Sequence, residues 1–149
     1  MTSPSDDEID RLARVIRSLI RELLIAGRVG APAEGKIPFN PLYFHMLGHL
    51  LNHRRARPSE LAAFLGVART TLSTASKALQ SRGLIKQAPD PEDGRAQMLV
   101  LTTEGRKVAQ AIRRQDRKNM KLLLERIDPA ARSILIETIE QVVLTEDND

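Results

Sequence analysis

Residues 93–105, with the sequence DGRAQMLVLTTEG, constrain the fold of this chain most. An acidic turn with one arginine leads into a short apolar segment, and two threonines then open a helix. Residues 84–88 and 96–101 read as two strands, and the turn between them, PDPEDGR, is rich in proline and glycine. No other segment shows a strand pattern. The sequence therefore predicts a mainly α-helical fold, of the α+β class, with one small β-hairpin.

Helices are predicted on both sides of this hairpin. Apolar residues recur at helical spacing over about 3–26, and the Gly- and Pro-rich stretch 27–41 then forms a loop or flexible connection. Long helices follow the hairpin at about 103–127 and 129–144, and an acidic tail, 145–149, ends the chain as a frayed segment.

The middle of the chain holds shorter helices. Asn40 caps a helix that begins with Pro41 and ends near His53. Two further helices, about 60–65 and 68–82, each stop at a glycine. A winged helix-turn-helix has this order of elements: a short helix, a glycine turn, a second helix and a strand hairpin, which is called the wing.

Composition limits the classes of function. The pI of about 9.8 and net charge of +4 suit a polyanionic partner. Aromatic residues make up only 3%, too few for the stacking platforms of single-strand binders, so duplex DNA is the expected target. Cysteine is absent, which removes thiol redox chemistry and thiolate metal sites. No leader or apolar span is visible, so we expect a cytoplasmic protein without a membrane partner.

The second helix of the predicted helix-turn-helix has a polar face. Leu72, Ala75 and Leu79 share one side, which we expect to be buried. Small hydroxyl side chains on the other side would let the helix approach a major groove, and cations there could reach base edges or phosphates. An ordinary solvated face is the alternative. The candidate DNA contacts on this helix are Arg69, Thr70, Ser73, Thr74 and Lys77, with Ser81 on the same face.

The hairpin tip carries Arg95 between Gly94 and Ala96, so no bulky neighbour hinders its reach into a minor groove. Asp93 could hold the Arg95 guanidinium by a charge-assisted pair and fix its direction. The alternative is that Asp93 and Gly94 only form the turn and Arg95 is solvated. Arg57 and Ser59, where the preceding short helix starts, are further candidate contacts, as are Arg54 and Arg55 to phosphate.

The run from 58 to 105 resembles the MarR family of bacterial transcriptional regulators. The resemblance lies in the segments SELA at 59–62 and SRGLI at 81–85 and in a signature whose spacing is matched here. It implies a homodimer in which the first and last helices interlock, with residues 69–82 in the major groove and Arg95 in the minor groove. The connection 27–41 is longer than the family's usual link between its first two helices. The residues at signature spacing are Asp93, Arg95, Leu99, Leu101, Thr102 and Gly105.

The terminal helices carry more aliphatic surface than a small winged-helix module can cover, so we expect a second copy of the chain to bury it. We therefore expect a single domain over 1–149, with dimerisation helices at about 3–26 and 103–144 and a DNA-binding region at about 41–101. Twofold symmetry predicts a pseudo-palindromic operator with half-sites about 10 bp apart. The cations of 113–118 are expected to be a solvated face. The aliphatic residues are Ile112, Leu122, Leu123, Leu124, Ile127, Ile134, Leu135, Ile139, Val142 and Val143.

The three histidines, His45, His49 and His53, lie four residues apart on one helix, so a pair could face a metal ion. No thiolate or glutamate completes a tetrahedral set, which makes them weak metal candidates, and ordinary hydrogen bonding is the alternative. Many members of the MarR family, which this chain resembles, bind small aromatic or phenolic effectors. Tyr43, Phe44, His45 and His49 could line such a pocket here.

These patterns predict a dimeric, double-stranded-DNA-binding transcriptional regulator, most simply a repressor that competes with polymerase. No phosphate-binding Gly loop or nucleophile–base pair is present, so we expect neither an enzyme nor a cofactor. A protein–protein adaptor that keeps the winged fold but has lost its DNA face is the alternative.

Overall fold

The structure, a computed structural model, describes residues 2–24, 37–38 and 40–144. Most of the predicted connection 27–41 lies outside these residues, and so do the predicted tail 145–149 and the last two residues of the predicted first helix. The chain divides into two compact units, Val29–Gln115 and the combination of Met1–Arg28 with Asp116–Asp149. The division falls within the long helix that follows the hairpin.

The unit Val29–Gln115 holds the winged helix-turn-helix. Asn40 caps its first helix by accepting a hydrogen bond from the Leu42 N–H at 2.9 Å, and Pro41 occupies the first helical position, as predicted. The elements, in chain order, are α2 Pro41–His53, β1 Arg55–Ala56, α3 Pro58–Leu65, α4 Arg69–Ser81, β2 Ile85–Pro89, β3 Gln97–Leu101 and the start of α5 Thr103–Glu125, where α1 is the N-terminal helix described below.

Two glycines with positive φ make the sharp turns of this unit. Gly66, at φ 66°, ends α3, and its N–H donates to the carbonyl of Ala63 at 3.1 Å. Gly83, at φ 70°, ends the turn after α4. Left-handed backbone is costly for side chains with a Cβ, so both helices stop at the predicted residues.

The sheet has three antiparallel strands in the order β1-β3-β2. The β2–β3 hairpin is in the predicted place, with Ile85 opposite Leu101 and Pro89 opposite Gln97. The prediction of a single hairpin was incomplete, because β1 adds a short edge strand whose Ala56 lies opposite Leu99. A two-residue strand is too short to show the alternation that identifies strands in a sequence.

The core of this unit is aliphatic and joins the helices to the sheet. Ala56 and Leu99 bring the sheet into it, and Val108 and Ala109 bring in the start of α5. Burial of this surface fixes α4 against α2 and α3, which leaves its other side free for a partner. The largest side chains with almost no exposed surface are Met46, Leu47, Leu50, Leu61, Leu72, Leu79, Leu84, Ile85 and Leu99.

The other unit holds α1 Asp6–Leu24, the later turns of α5, and α6 Pro129–Leu144. A capping box starts α1: the Ser5 N–H donates to Glu8 Oε2 at 2.8 Å, and the Glu8 N–H donates to Ser5 Oγ at 3.3 Å. The bonds from Ser5 also lower the pKa of Glu8. Asp128 starts α6 by accepting from the Ala130 N–H at 2.9 Å.

This unit leaves large apolar side chains exposed within the single chain. On α1 they recur at helical spacing and form a stripe. An exposed apolar stripe of this kind commonly marks an interaction surface. The exposed residues are Ile9, Leu12, Val15, Ile16 and Ile20 on α1, Met120 and Leu122 on α5, and Ile134, Ile136, Ile139, Val142 and Val143 on α6.

None of the helices within the described ranges combines the length and apolar character that a membrane crossing requires.

Candidate nucleic-acid interface

Helix α4 has one buried and one exposed side, as its sequence predicts. Leu72, Ala75 and Leu79 are buried in the core. The candidate contact residues Arg69, Thr70, Ser73, Thr74 and Lys77 are all exposed. The face expected to read DNA is therefore open to a partner.

Four of the candidate contacts meet in one groove. Ser59, at the start of α3, and Arg69, Ser73 and Lys77, on α4, line a cavity of about 360 Å³. The groove combines hydroxyls and cations in the way that contacts to phosphate and to base edges require. The residues that complete its lining are Pro58, Leu72, Ser76, Gln80, Gln87 and Leu99.

Gln80 and Gln87 were not among the predicted contacts. Gln80 is seven residues after Ser73 and three after Lys77, so the helical period could have identified it. Gln87 comes from β2 and reaches the groove only because the sheet packs beside α4. Its place could not be read from local sequence, although an amide suits a base edge or a phosphate.

The hydroxyl of Thr74 is partly used inside the helix. Its Oγ1 donates to the carbonyl of Thr70 at 3.0 Å, and Ser81 Oγ donates to the carbonyl of Lys77 at 2.9 Å. Such back-bonding consumes the hydroxyl proton and leaves the oxygen able to accept. Thr74 is therefore placed to accept hydrogen bonds from a partner.

The wing tip is built by local backbone bonds. Asp93 Oδ1 accepts from the Arg95 N–H at 3.1 Å, and the Asp93 carbonyl accepts from the Ala96 N–H at 2.9 Å. Asp93 therefore forms the turn instead of holding the Arg95 guanidinium, since the backbone N–H two residues ahead is within easier reach. Arg95 is exposed, and none of the ion pairs among the described residues involves it.

Arg57, an expected phosphate contact, is surrounded by carboxylates of the same chain. Its Nε donates to Asp90 Oδ2 at 2.7 Å, and its Nη2 donates to Glu92 Oε2 at 3.2 Å. Its Nη1 lies 3.5 Å from Glu60 Oε1. The bond to Asp90 is the main reason that the pKa of Arg57 rises. In turn, the Arg57 bond and the Glu92 N–H lower the pKa of Asp90.

The signature residues after the wing fix the start of α5. Thr102 Oγ1 donates to the carbonyl of Gly83 and accepts from the Gly105 N–H at 2.9 Å, which caps the helix. The Thr102 N–H donates to the carbonyl of Leu84 at 3.1 Å. Thr102 therefore ties the start of α5 to the residues that directly follow α4.

The histidines of α2 do not line the groove. His49 stacks on His53, with ring centroids 4.2 Å apart. The ring centroids of His49 and Phe64 are 4.7 Å apart. Burial, and then the neighbouring His53, lower the pKa of His49. His45 is exposed, whereas Tyr43 and Phe44 pack against the core. Within the described ranges, no three His, Cys, Asp or Glu side chains meet as a metal cluster would require.

Comparisons with known proteins agree with this geometry. A model of the MarR family matches residues 37–96. The fold is similar to FabT of Streptococcus pneumoniae, solved in complex with DNA, with a TM-score of 0.79, 16% identity, and coverage of 94% of this chain and 98% of that one. It is also similar to RV1404 of Mycobacterium tuberculosis, with a TM-score of 0.73, 22% identity, and coverage of 99% and 98%.

A third solved structure is more similar in sequence. The transcriptional regulator Tm0710 of Thermotoga maritima is 27% identical, with a TM-score of 0.56 and coverage of 93% of this chain and 96% of that one. A search of curated proteins gives no match. The predicted winged helix-turn-helix fold is confirmed, since the family match spans α2 to the wing tip and the structural matches extend over nearly the whole chain.

Proposed function

Because a model of the MarR family matches residues 37–96, we propose that the protein belongs to this family and is a transcriptional regulator that binds double-stranded DNA sequence-specifically. The observation that carries this proposal is the groove in which Ser59, Arg69, Ser73 and Lys77 meet. Hydroxyl and cationic side chains from two helices meet there. They can donate hydrogen bonds to phosphate oxygens and to acceptor atoms on base edges.

In the proposed complex, α4 lies in the major groove and Arg95 enters the minor groove. Thr70 and Thr74 face the same duplex from α4, and Asp93 shapes the turn that presents Arg95. A guanidinium suits a narrow minor groove because of the stronger negative potential there.

We also propose that the protein acts as a homodimer. The exposed apolar residues of α1 and α6 supply surface for a second copy, and a twofold dimer would read a pseudo-palindromic operator. We propose that the protein is a repressor and that a small aromatic or phenolic effector releases it from DNA. Tyr43, Phe44, His45 and His49 remain the candidate effector contacts.

A salt titration tests duplex binding. We expect the logarithm of the association constant to fall steeply with the logarithm of salt concentration, by about 0.9 for each phosphate contact. Arg95→Ala should weaken binding by about tenfold, because its minor-groove contact is lost. Arg114→Ala removes an exposed cation from α5, outside the proposed interface, and should leave affinity within about twofold as the matched control.

Affinity that responds neither to salt nor to Arg95→Ala would contradict the proposal. It would favour a protein–protein adaptor that keeps the winged fold without its DNA function.

A further inference from the structure

The ion pair between Arg57 and Asp90 joins the start of α3 to the base of the wing. The Arg57 Nε lies 2.7 Å from Asp90 Oδ2, and the Asp90 side chain is only 2% exposed, against 37% for Arg57. A carboxylate this buried needs a hydrogen-bonded partner to remain charged. Arg57 therefore holds the Asp90 side chain in place.

Asp90 also closes the loop that carries Arg95. Its N–H donates to the carbonyl of Ala96 at 3.0 Å, and its Oδ1 accepts from the Glu92 N–H at 2.9 Å. Arg95 immediately precedes Ala96 in this loop. A movement of Asp90 would therefore change the place from which Arg95 extends.

The surroundings of Arg57 do not suit a phosphate contact. Its guanidinium meets the carboxylates of Asp90 and Glu92 and lies near that of Glu60. Three carboxylates around one guanidinium give the cluster a net negative charge, which repels a phosphate group. Two of the guanidinium nitrogens already donate to carboxylate oxygens within the protein.

We infer that Arg57 is a positioning residue for DNA binding: through Asp90 it holds the wing loop so that Arg95 reaches the minor groove, and it makes no phosphate contact itself. The inference rests on the proposed function. It replaces the expectation from sequence that Arg57 grips the DNA backbone.

The direction in which Asp90→Asn changes duplex affinity distinguishes a positioning role of Arg57 from a phosphate contact. If Asp90 held Arg57 back from phosphate, Asp90→Asn would free the guanidinium and tighten duplex binding. Positioning predicts the opposite, a loss of about fivefold to tenfold, because the wing loop loses its anchor. Glu92→Gln neutralises only the 84% exposed carboxylate that pairs with Arg57, so it is the matched control. Its duplex affinity should stay within about twofold of the wild type.

Double variants test whether Arg57 acts through Arg95. In an Arg95→Ala background, Arg57→Ala and Asp90→Asn should each change duplex affinity by less than about twofold, since the contact they position is already gone. If Arg57→Ala lowered duplex affinity as much in the Arg95→Ala background as in the wild type, Arg57 would make a DNA contact of its own. That result would overturn the inference. The thermal midpoint of each variant shows that the compared proteins are folded.

Hydrogen exchange of the free protein supplies a readout that needs no DNA. The amides of Asp90 and Ala96 should exchange about tenfold faster in Arg57→Ala and Asp90→Asn, while amides of the buried face of α4 keep their rates. Unchanged rates at Asp90 and Ala96 would overturn the inference. Wild-type protein that binds no duplex would overturn the proposed function, whereas these rates would still decide whether Arg57 holds the wing loop.

Discussion

The closest backbone approach among the described glycines is at Gly105, in the first turn of α5. A Cβ placed there would overlap the carbonyl oxygen of Leu84, which also accepts the Thr102 N–H. Backbone cannot move aside as a flexible side chain can, so we expect Gly105→Ala to lower the free energy of unfolding by about 1–3 kcal/mol. Chemical denaturation monitored by circular dichroism measures this change.

Gly48, in the middle of α2, is the matched control. A Cβ there would meet no atom within 4 Å. Gly48→Ala should therefore raise the free energy of unfolding by about 0.5–1 kcal/mol, because alanine costs less backbone entropy in a helix. Equal effects at both positions would show that the approach of Gly105 to Leu84 does not constrain the start of α5.

The Arg57–Asp90 pair should make a pH-dependent contribution to stability. The bond from Arg57, and then that from the Glu92 N–H, lower the pKa of Asp90 below its ordinary 3.8. The folded state thus binds this proton less readily than the unfolded state, so the stabilisation is present above the ordinary pKa and is lost as pH falls through the folded value.

Unfolding free energies of the wild type and Asp90→Asn measure this contribution across pH. We expect the difference between them to be constant from about pH 5 to 8 and to shrink below about pH 4. A difference that instead shrank on raising the pH toward 8 would contradict the assignment of the effect to the Asp90 carboxylate.

Among the elements, helix α4 carries one buried polar side-chain atom without a hydrogen-bond partner among the described residues. Ser76 is 6% exposed, and its Oγ has no hydrogen-bond partner among the described residues. Because an unsatisfied buried hydroxyl is costly, Ser76→Ala should raise the free energy of unfolding or leave it unchanged within about 1 kcal/mol. Denaturant unfolding checks this, with Ala75→Ser at the adjacent buried position as the control, which we expect to destabilise. A loss of more than about 1 kcal/mol in Ser76→Ala would show that the hydroxyl is satisfied in solution.

Most elements were predictable because their signals are local. The cap at Asn40 and the glycines at Gly66 and Gly83 set helix limits to within a few residues, and the apolar period of α4 identified its buried side. Strand β1 was missed because its two residues become a strand only by pairing with β3, more than forty positions later.

The candidate site was predictable only where one element supplies it. The exposed face of α4 follows from its helical period, and the turn at Asp93 follows from Asx chemistry. The partner of Arg57 was not predictable, because Asp90 lies 33 positions away and meets it only in the folded chain. Gln87 joins the groove for the same kind of reason, through the packing of the sheet beside α4.

For the whole molecule, the exposed apolar surface of the terminal helices predicts self-association. Ile139, on α6, is 54% exposed in the single chain. If a second copy covers it, Ile139→Glu would bury a charge and should raise the dimer dissociation constant by at least about tenfold. Sedimentation velocity measures this against the matched control Glu137→Gln on the same helix, and a wild type that stays monomeric at high concentration would contradict the prediction.

We propose that two copies of this winged helix-turn-helix bind one duplex together. Repeated selection of bound duplexes from a random pool tests it most directly, because the recovered sequences report the partner, the symmetry and the spacing together. We expect an inverted repeat whose half-sites are about 10 bp apart, centre to centre. Recovery of a pool without a shared sequence, or of single unpaired half-sites, would contradict it.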